Sequence, residues 1–291
     1  MPGAANLYVE GELICHANGC YQSRDSINIG ITYAPLLDEE GRMTDIIANV
    51  RDLTRYREEE ELQKTFISVV SHELKTPVSI IKGYAGTLRR QDANWSGEVL
   101  DESLAVIEEE ADNLNVLIDS LLEVSRLQAG TFRLEMSDDV NLAKIAADVA
   151  RKLGRQTEKH KVSVYFDPEF PTIFGDERRL TQVLNNLVGN AIKYSPEGGK
   201  IRIKGEVHPQ HVTVSVRDEG IGIPVHEQHR IFQKFARLDN ALSRKTEGTG
   251  LGLFLSKAIV EAHNGRIWFH NNNEMEPGVP GTTFTFSLPI E

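Results

Sequence analysis

A histidine and a glutamate stand side by side, as His72 and Glu73, in the stretch SHELKTP. Glu73 is close enough to accept a proton from one nitrogen of the imidazole ring, which would make the other nitrogen a better nucleophile. Pro77 follows five residues after His72 and is expected to kink a helix there, because proline has no N–H to donate. Taken alone, a surface histidine without a role explains the pair equally well, so the surrounding sequence has to decide.

Apolar residues around this pair recur at alternating spacings of three and four, a pattern that predicts two antiparallel helices joined by the polar segment RQDANWSG. The first helix carries the seam Ile67, Val70, Leu74, Pro77, Ile81, Tyr84 and Leu88. The second carries the seam Leu100, Leu104, Ile107, Ala111, Leu114, Ile118 and Leu121. His72 lies two positions past Val70 and is therefore expected to point outward.

The apolar face of these two helices is wider than one hairpin can bury. We expect five residues beside the seam to stay in contact with water in a monomer, namely Phe66, Val69, Ile80, Leu117 and Leu122. Pairing two hairpins into a four-helix bundle would cover them. The sequence therefore predicts a homodimer through the helical hairpin.

Three polar residues share one face of a later helix in the segment NNLVGNAIKYS: Asn186, Asn190 and Lys193. They could simply be solvent-facing, and that interpretation is strongest for Asn186. It is weaker for Asn190, because a side-chain carbonyl is a suitable ligand for Mg²⁺. Lys193 could meet a phosphate group.

The segment VRDEGIGIP ends a predicted strand at Asp218, with Gly220 and Gly222 directly after it. A carboxylate at a strand end can accept a hydrogen bond from an exocyclic amine such as that of adenine. The glycines would let the backbone approach a flat ligand closely. An ordinary turn after a strand would also contain Asp and Gly, so this segment alone leaves both interpretations open.

A third glycine-rich segment, EGTGLGLFLSK, opens a predicted helix with Gly248, Gly250 and Gly252. Glycines before a helix N-terminus leave N–H donors free for phosphate oxygens. The segment matches neither the dinucleotide pattern G-x-G-x-x-G nor the P-loop pattern, so another kind of nucleotide fold is required.

Composition sets limits on the remaining functions. The formal net charge of −11 argues against a nucleic-acid partner. No segment reaches the roughly 20 apolar residues that span a bilayer, and the N-terminus lacks signal-peptide features, which predicts a cytoplasmic chain without a transmembrane segment. The two cysteines, Cys15 and Cys20, are expected to be reduced and without a catalytic role.

Strands and helices alternate beyond Gly130, which predicts an α/β sandwich with helices on one face of a sheet. The predicted helices cover Leu142–Leu153, Glu177–Lys193 and Gly252–His263. The predicted strands are KVSVYF, IRIKGEV, HVTVSVRD, RIWFHNN and TTFTFSLPI. With 291 residues, the chain is long enough for two or three domains.

The segments SHELKTP, NNLVGNAIKYS, DEGIGI and GTGLGL occur in this order and resemble the H, N, G1 and G2 boxes of sensor histidine kinases. IFQKFARLD resembles the F box of that family, and the resemblance covers about residues 57 to 291. It implies a phosphoacceptor hairpin that dimerises and an ATP-binding domain of the GHKL type. The sequence departs mildly from the family in HNG at 263–265 and in FQKFAR, which lacks the usual aromatic residue before Arg237.

The resemblance implies a role for each matching residue. His72 would be the phosphoacceptor, Glu73 its base, and Thr76 the residue that orients water when a response regulator is dephosphorylated. Asn190 would hold Mg²⁺, and Asp218 would read adenine. The remaining ATP-binding positions would be Asn186, Lys193, Tyr194, Gly220, Gly222, Ile223, Lys234, Arg237, Gly248, Thr249, Gly250, Leu251, Gly252 and Thr283.

These inferences predict three domains: residues 1–56, a partial PAS-like sensor segment; residues 57–130, the dimerisation and phosphoacceptor domain; and residues 131–291, the catalytic domain. The first rests on the hairpin signal in NIGITYAPLLDEEGRMTDIIANVRDLT, which resembles the last strands of a PAS domain. The expected function is ATP-dependent autophosphorylation of His72 and transfer to a response regulator receiver domain. Two alternatives remain: a scaffold with a degenerate ATP pocket, and a gyrase-like ATPase without a phosphoacceptor.

Overall fold

A computed structural model of the chain describes residues 6–10, 28–90, 95–236 and 249–290. It divides into two compact units, residues 1–69 and residues 70–291. Cys15, Cys20, Arg237 and Gly248 lie outside the described residues. Within the described part of the chain, no helix is both long enough and apolar enough to cross a membrane.

The first unit contains a three-stranded antiparallel sheet made of β1 (Asn6–Glu10), β2 (Asn28–Leu37) and β3 (Met43–Asp52). The predicted hairpin is confirmed, because β2 and β3 pair around a turn at Asp38. The Asp38 side chain accepts hydrogen bonds from the backbone N–H groups of Glu40 and Arg42, and Gly41 adopts a positive φ of 77°. These contacts fix the turn locally.

Helix α1 spans Thr54–Leu88 and helix α2 spans Gly97–Gln128. Ser96 caps α2, since its Oγ accepts a hydrogen bond from the N–H of Val99. The expectation for Leu117 was wrong, since it is 7% exposed. It lies on the same face of α2 as Leu121 and Val124, the face that packs against Leu251 and Leu255. Other apolar side chains of this region do face solvent, among them Tyr84, Leu100, Leu104, Val116, Ile118 and Leu122.

The rest of the second unit is built around a five-stranded sheet in the order β5-β7-β8-β10-β9. Strands β5 and β7 are parallel, and the other neighbours are antiparallel. Its strands are β5 (His160–Tyr165), β7 (Gly199–Val207), β8 (His211–Arg217), β9 (Arg266–Asn271) and β10 (Thr282–Pro289). A separate pair, β4 (Ser137–Val140) and β6 (Ile173–Gly175), was not anticipated from the sequence.

Three helices pack against the sheet and each other: α3 (Leu142–Gly154), α4 (Glu177–Lys193) and α5 (Gly252–Ala262). A 3₁₀ helix, Val225–Arg230, and a four-residue helix α6, Asn272–Met275, complete the unit. The apolar faces of the helices and of the sheet form one core that includes Leu142, Leu180, Leu184, Leu187, Ile201, Ile203, Ile259, Phe286 and Leu288. The predicted α/β sandwich and its helices are confirmed.

Helix α2 also contacts the sandwich through its C-terminal half. Val124 packs in a second apolar cluster with Leu251 and Leu255, close to the start of α5. Beside it, the buried guanidinium of Arg179 forms an ion pair with the buried carboxylate of Glu123. Helix α2 and the sandwich therefore meet at a joint apolar and ionic contact.

Candidate functional sites

Asp218 follows β8 and is 5% exposed. Its Oδ1 accepts hydrogen bonds from the backbone N–H of Gly220, at 2.9 Å, and of Thr282, at 3.0 Å. Burial raises the pKa of this carboxyl from 3.8 to about 6, although the two backbone donors act in the opposite direction. A buried acceptor with a perturbed pKa at the end of a strand is typical of a ligand site.

A pocket opens beside Asp218, with roughly 610 Å³ of empty space including its mouth. Its lining combines apolar walls with a few polar groups, as flat heteroaromatic ligands require. The lining residues are Asn190, Tyr194, Asp218, Gly222, Ile223, Glu227, Arg230, Ile231, Ala236, Leu253, Thr282 and Phe284.

Helix α4 contributes Asn190 and Tyr194 to this lining. The ammonium of Lys193 lies 5.3 Å from the centre of the Tyr194 ring. Asn186 has a different contact: its side-chain amide donates a hydrogen bond to Ser256 Oγ at 2.8 Å. Asn190 and Tyr194 are thus placed on the pocket, whereas Asn186 joins α4 to α5.

The glycines predicted for the site allow close contacts that a side chain would block. A Cβ on Gly220 would collide with the carbonyl oxygen of Tyr194, and one on Gly252 would collide with the Asn186 side chain. Gly222 and Gly250 have φ values of 73° and 68°, in the left-handed region that favours glycine. The Gly250 carbonyl also accepts a hydrogen bond from the N–H of Phe235.

The segment before α5 holds two further predicted pocket residues, Thr249 and Leu251. Thr249 Oγ1 accepts a hydrogen bond from the N–H of Leu251, which is fully buried in the cluster with Val124. The Lys234 ammonium lies 5.1 Å from the centre of the Phe254 ring. Neither Leu251 nor Lys234 lines the pocket.

Thr283 is another predicted ATP-binding residue that lies outside the pocket lining. Its hydroxyl donates a hydrogen bond to Asn272 Oδ1 at 2.7 Å. Its neighbour Thr282 lines the pocket instead. Successive side chains of a strand point to opposite faces, so Thr282 and Thr283 have different surroundings.

His72 lies on α1 with its side chain exposed, in agreement with its expected outward orientation. Glu73 is half-buried, and Pro77 is buried. The hydroxyl of Thr76 donates a hydrogen bond to the His72 carbonyl oxygen at 3.3 Å. The imidazole is therefore accessible to a large reagent, while Thr76 is tied to the same turn of the helix.

Several pocket residues were missed from the sequence. Ile231 lies in the recognised stretch IFQKF, so its apolar position was a usable signal. Glu227 and Arg230 come from the 3₁₀ helix, which has no apolar periodicity. Phe284 looks like any other core residue of a strand, and only the position of β10 next to β8 brings it to the pocket.

Two family models match the chain. Residues 62–130 match HisKA, described as the His Kinase A phospho-acceptor domain. Residues 175–291 match HATPase_c, described as a histidine kinase-, DNA gyrase B- and HSP90-like ATPase. His72 lies in the first match, and Asn190 and Asp218 lie in the second, which is an ATP-binding domain.

Among curated proteins, the chain is 34% identical to the sensor protein kinase WalK of Staphylococcus aureus, over 90% of the chain and 62% of that protein. It is 30% identical to the sensor histidine kinase WalK of Bacillus subtilis, over 90% of the chain and 42% of that protein. The chain thus spans between about two fifths and three fifths of the length of these relatives.

Solved structures agree with this relationship. The histidine kinase AdeS of Acinetobacter baumannii matches with a TM-score of 0.56 at 25% identity, over 76% of this chain and 98% of that chain. The histidine kinase ThkA, solved in complex with the response regulator protein TrrA, matches with a TM-score of 0.55 at 26% identity. That match covers 94% of this chain and 77% of that chain. From its HisKA and HATPase_c domains and these relatives, the chain belongs to the sensor histidine kinase family.

Proposed function

We propose that this chain is an ATP-dependent protein histidine kinase that phosphorylates His72 and passes the phosphoryl group to an aspartate of a response regulator receiver domain. The observation that carries the proposal is the combination of an exposed His72 on α1 with a buried Asp218 at an open pocket of the ATP-binding domain. A nucleophile that can be reached from outside and a nucleotide site on another domain are the two parts that phosphoryl transfer between domains requires.

In this scheme the Asp218 carboxylate accepts a hydrogen bond from the exocyclic amine of adenine. Ile223, Leu253 and Phe284 supply apolar contacts along the ring. The glycines of the DEGIGI and GTGLGL segments let backbone N–H groups approach the phosphates. Lys193 and Lys234 are proposed to reach the phosphate oxygens, together with Arg237, which lies outside the described residues.

The transfer step is proposed to occur in line. One nitrogen of the His72 imidazole attacks the γ-phosphorus, the bond from that phosphorus to the bridging oxygen breaks, and ADP leaves. Glu73 takes the ring proton, so the product is a neutral-ring phosphoramidate. Thr76 is proposed to orient water when the regulator is dephosphorylated; its hydroxyl would first have to leave the His72 carbonyl.

Mg²⁺ is the proposed metal, held by Asn190. No group of three or more His, Cys, Asp or Glu side chains that could cage a metal occurs in the part of the chain that the structure describes. The side-chain carbonyl of Asn190 is an oxygen donor of the kind that Mg²⁺ accepts, and phosphates and water fill most of the other positions around this ion. The ion would supply charge neutralisation at the transferred phosphoryl group.

The exposed apolar residues of α1 and α2 support a homodimer, because a four-helix bundle would cover Tyr84, Leu104 and Ile118, which are 40%, 49% and 41% exposed. The domain boundaries at residues 56 and 130 remain part of the proposal, as does a PAS-like role for the first segment. A location in the cytoplasm is proposed because ATP and a receiver domain would both have to reach the chain.

The test is incorporation of label from γ-labelled ATP into the full chain. The parent is expected to gain an acid-labile, base-stable label, as a phosphoramidate would. His72→Gln should lose it but still bind ATP, and Asn190→Ala should lose it because Mg²⁺ is no longer held. His211→Gln is the matched control, since His211 is an exposed histidine on β8 that stacks on His208; it should label like the parent.

Label that persists in His72→Gln would refute the phosphoacceptor role. ATP hydrolysis without any label in the parent would favour the gyrase-like ATPase. Failure of the parent to bind ATP at all would favour the scaffold with a degenerate pocket.

A further inference from the structure

Two consecutive asparagines, Asn271 and Asn272, end β9 and begin α6. They are 9% and 1% exposed, and neither lines the pocket. Buried amides are kept only where their hydrogen-bonding capacity is used, so their partners are informative.

Asn272 is bonded to the residue that the proposed function assigns to adenine. Its Nδ2 donates to the Asp218 carbonyl oxygen and to the Pro280 carbonyl oxygen, both at 2.7 Å. Its Oδ1 accepts from Thr283 Oγ1, also at 2.7 Å, and its backbone N–H donates to the Gly281 carbonyl. Both amide protons and the carbonyl of this side chain are therefore engaged.

Further hydrogen bonds, to the start of β10, hold the backbone of Asp218. The N–H of Asp218 donates to the Thr282 carbonyl, and the N–H of Thr282 donates to Asp218 Oδ1. A Cβ on Gly281 would collide with the Asp218 carbonyl oxygen, so the backbone segments of these two residues are in close contact. Together with Asn272, these contacts fix both the peptide plane and the carboxylate of Asp218.

Asn271 makes the corresponding contacts at the other end of the loop that runs from Asp218 to Ile223. Its Oδ1 accepts from the N–H of Ile223, and its Nδ2 donates to the carbonyl of the same residue, each at 2.8 Å. Nδ2 also donates to Glu274 Oε1 at 3.2 Å. Ile223, like Asp218, lines the pocket.

We propose that Asn271 and Asn272 are positioning residues that hold the Asp218–Ile223 loop in register and so set the selectivity of the pocket for a 6-aminopurine nucleotide. The proposal rests on the proposed function, in which Asp218 reads the amine. A hydrogen bond weakens steeply when its angle is lost, so a small rotation of the Asp218 peptide would disconnect the carboxylate from the amine. Contacts to the phosphates come from other segments and would be retained.

The experiment compares two nucleotides on the full chain with Mg²⁺: ATP, and purine riboside triphosphate, which lacks only the exocyclic amine. The parent is expected to bind ATP about tenfold more tightly, the order of magnitude of one hydrogen bond to a charged group. In Asn272→Ala, affinity for ATP should fall about tenfold, to that of the purine nucleotide, while affinity for the purine nucleotide changes less than about twofold.

Three further variants make the comparison specific. Asn273→Ala is the matched control, because Asn273 is the exposed neighbour of the pair, and it should keep the selectivity of the parent. Asp218→Asn should lose the selectivity as Asn272→Ala does. If Asn272→Ala does not fold, Thr283→Val, which removes one anchor of Asn272 with little change of shape, should lower the selectivity about threefold.

A purely structural role for Asn272 would lower both affinities by the same factor, and that result in a selective parent would overturn the inference while leaving the proposed function intact. A parent that binds neither nucleotide would instead overturn the proposed function, and this inference with it.

Discussion

Asp218 is expected to cost the folded protein stability at neutral pH. Its pKa is raised from 3.8 to about 6, with burial as the largest cause. The folded state therefore binds a proton more tightly than the unfolded state, so stability is highest below the unfolded pKa and is lost as pH rises through about 6. The rise of this pKa from 3.8 to about 6 lowers the free energy of unfolding above pH 7 by about 3 kcal/mol.

The perturbation is Asp218→Asn, which keeps an oxygen that can accept from the N–H groups of Gly220 and Thr282 but removes the charge. The variant should be more stable than the parent by about 3 kcal/mol at about pH 7.5, and by only about 1 kcal/mol at about pH 4.5, where the parent carboxyl is protonated. The same variant should lose selectivity for ATP. Stability given up for binding is a common feature of ligand sites.

The assay is urea unfolding at the two pH values, followed by the fluorescence of Trp268 in a Trp95→Phe background. Trp268 reports on the sheet, because it lies on β9 opposite Thr285 of β10. Glu219→Gln is the matched control, an exposed carboxylate next to Asp218, and should change the unfolding free energy by less than about 0.5 kcal/mol at either pH. A variant that is equally stabilised at both pH values, or destabilised at about pH 7.5, would refute the reasoning.

Two other substitutions test how the site is supported. Glu123→Ala should destabilise the chain by about 3 kcal/mol, because it leaves the buried Arg179 guanidinium without its ion-pair partner and with Gln182 and the Phe132 ring as described neighbours. Glu123→Leu combined with Arg179→Leu should have a free energy of unfolding close to that of the parent. Similar losses of stability in both variants would contradict the ion-pair account. Gly252→Ala should cost about 1–3 kcal/mol and reduce ATP affinity through its collision with Asn186. Its control is Gly189→Ala on α4, where an added Cβ would meet open space. This variant should raise the free energy of unfolding in urea by up to about 1 kcal/mol. Equal effects in the two variants would show that the collision at Gly252 is relieved.

Local patterns were sufficient for much of the fold. Helix α4 begins and ends where its apolar periodicity predicts, at Glu177 and Lys193. The structure adds its cap, since Asp176 accepts a hydrogen bond from the N–H of Arg179. The β2–β3 hairpin followed from alternating residues on either side of a turn. The glycines and Asp218 were found for the same reason, since each marks a local requirement of the backbone or of a strand end.

Local patterns did not predict the contacts between segments that are distant in the sequence. The sequence places Thr282 and Thr283 side by side, and only the register of β10 against β8 decides which of them reaches the pocket. Leu117 was expected to be solvent-exposed because the sequence does not show which segments of the second unit pack against α2. Nothing in HNNNEM distinguishes Asn271 and Asn272 from an exposed turn, because their partners are some 50 residues away.

Most of the helices and strands, the two kinds of domain and the residue types that could carry the chemistry depend on interactions within a few turns of chain, so they could be predicted from the sequence; the β4–β6 pair was missed. Tertiary structure alone decided the raised pKa of Asp218, the pairing of Glu123 with Arg179 and the bonds of the two asparagines. Each of these depends on burial or on a partner supplied by a remote segment, and neither quantity is encoded in the spacing of neighbouring residues.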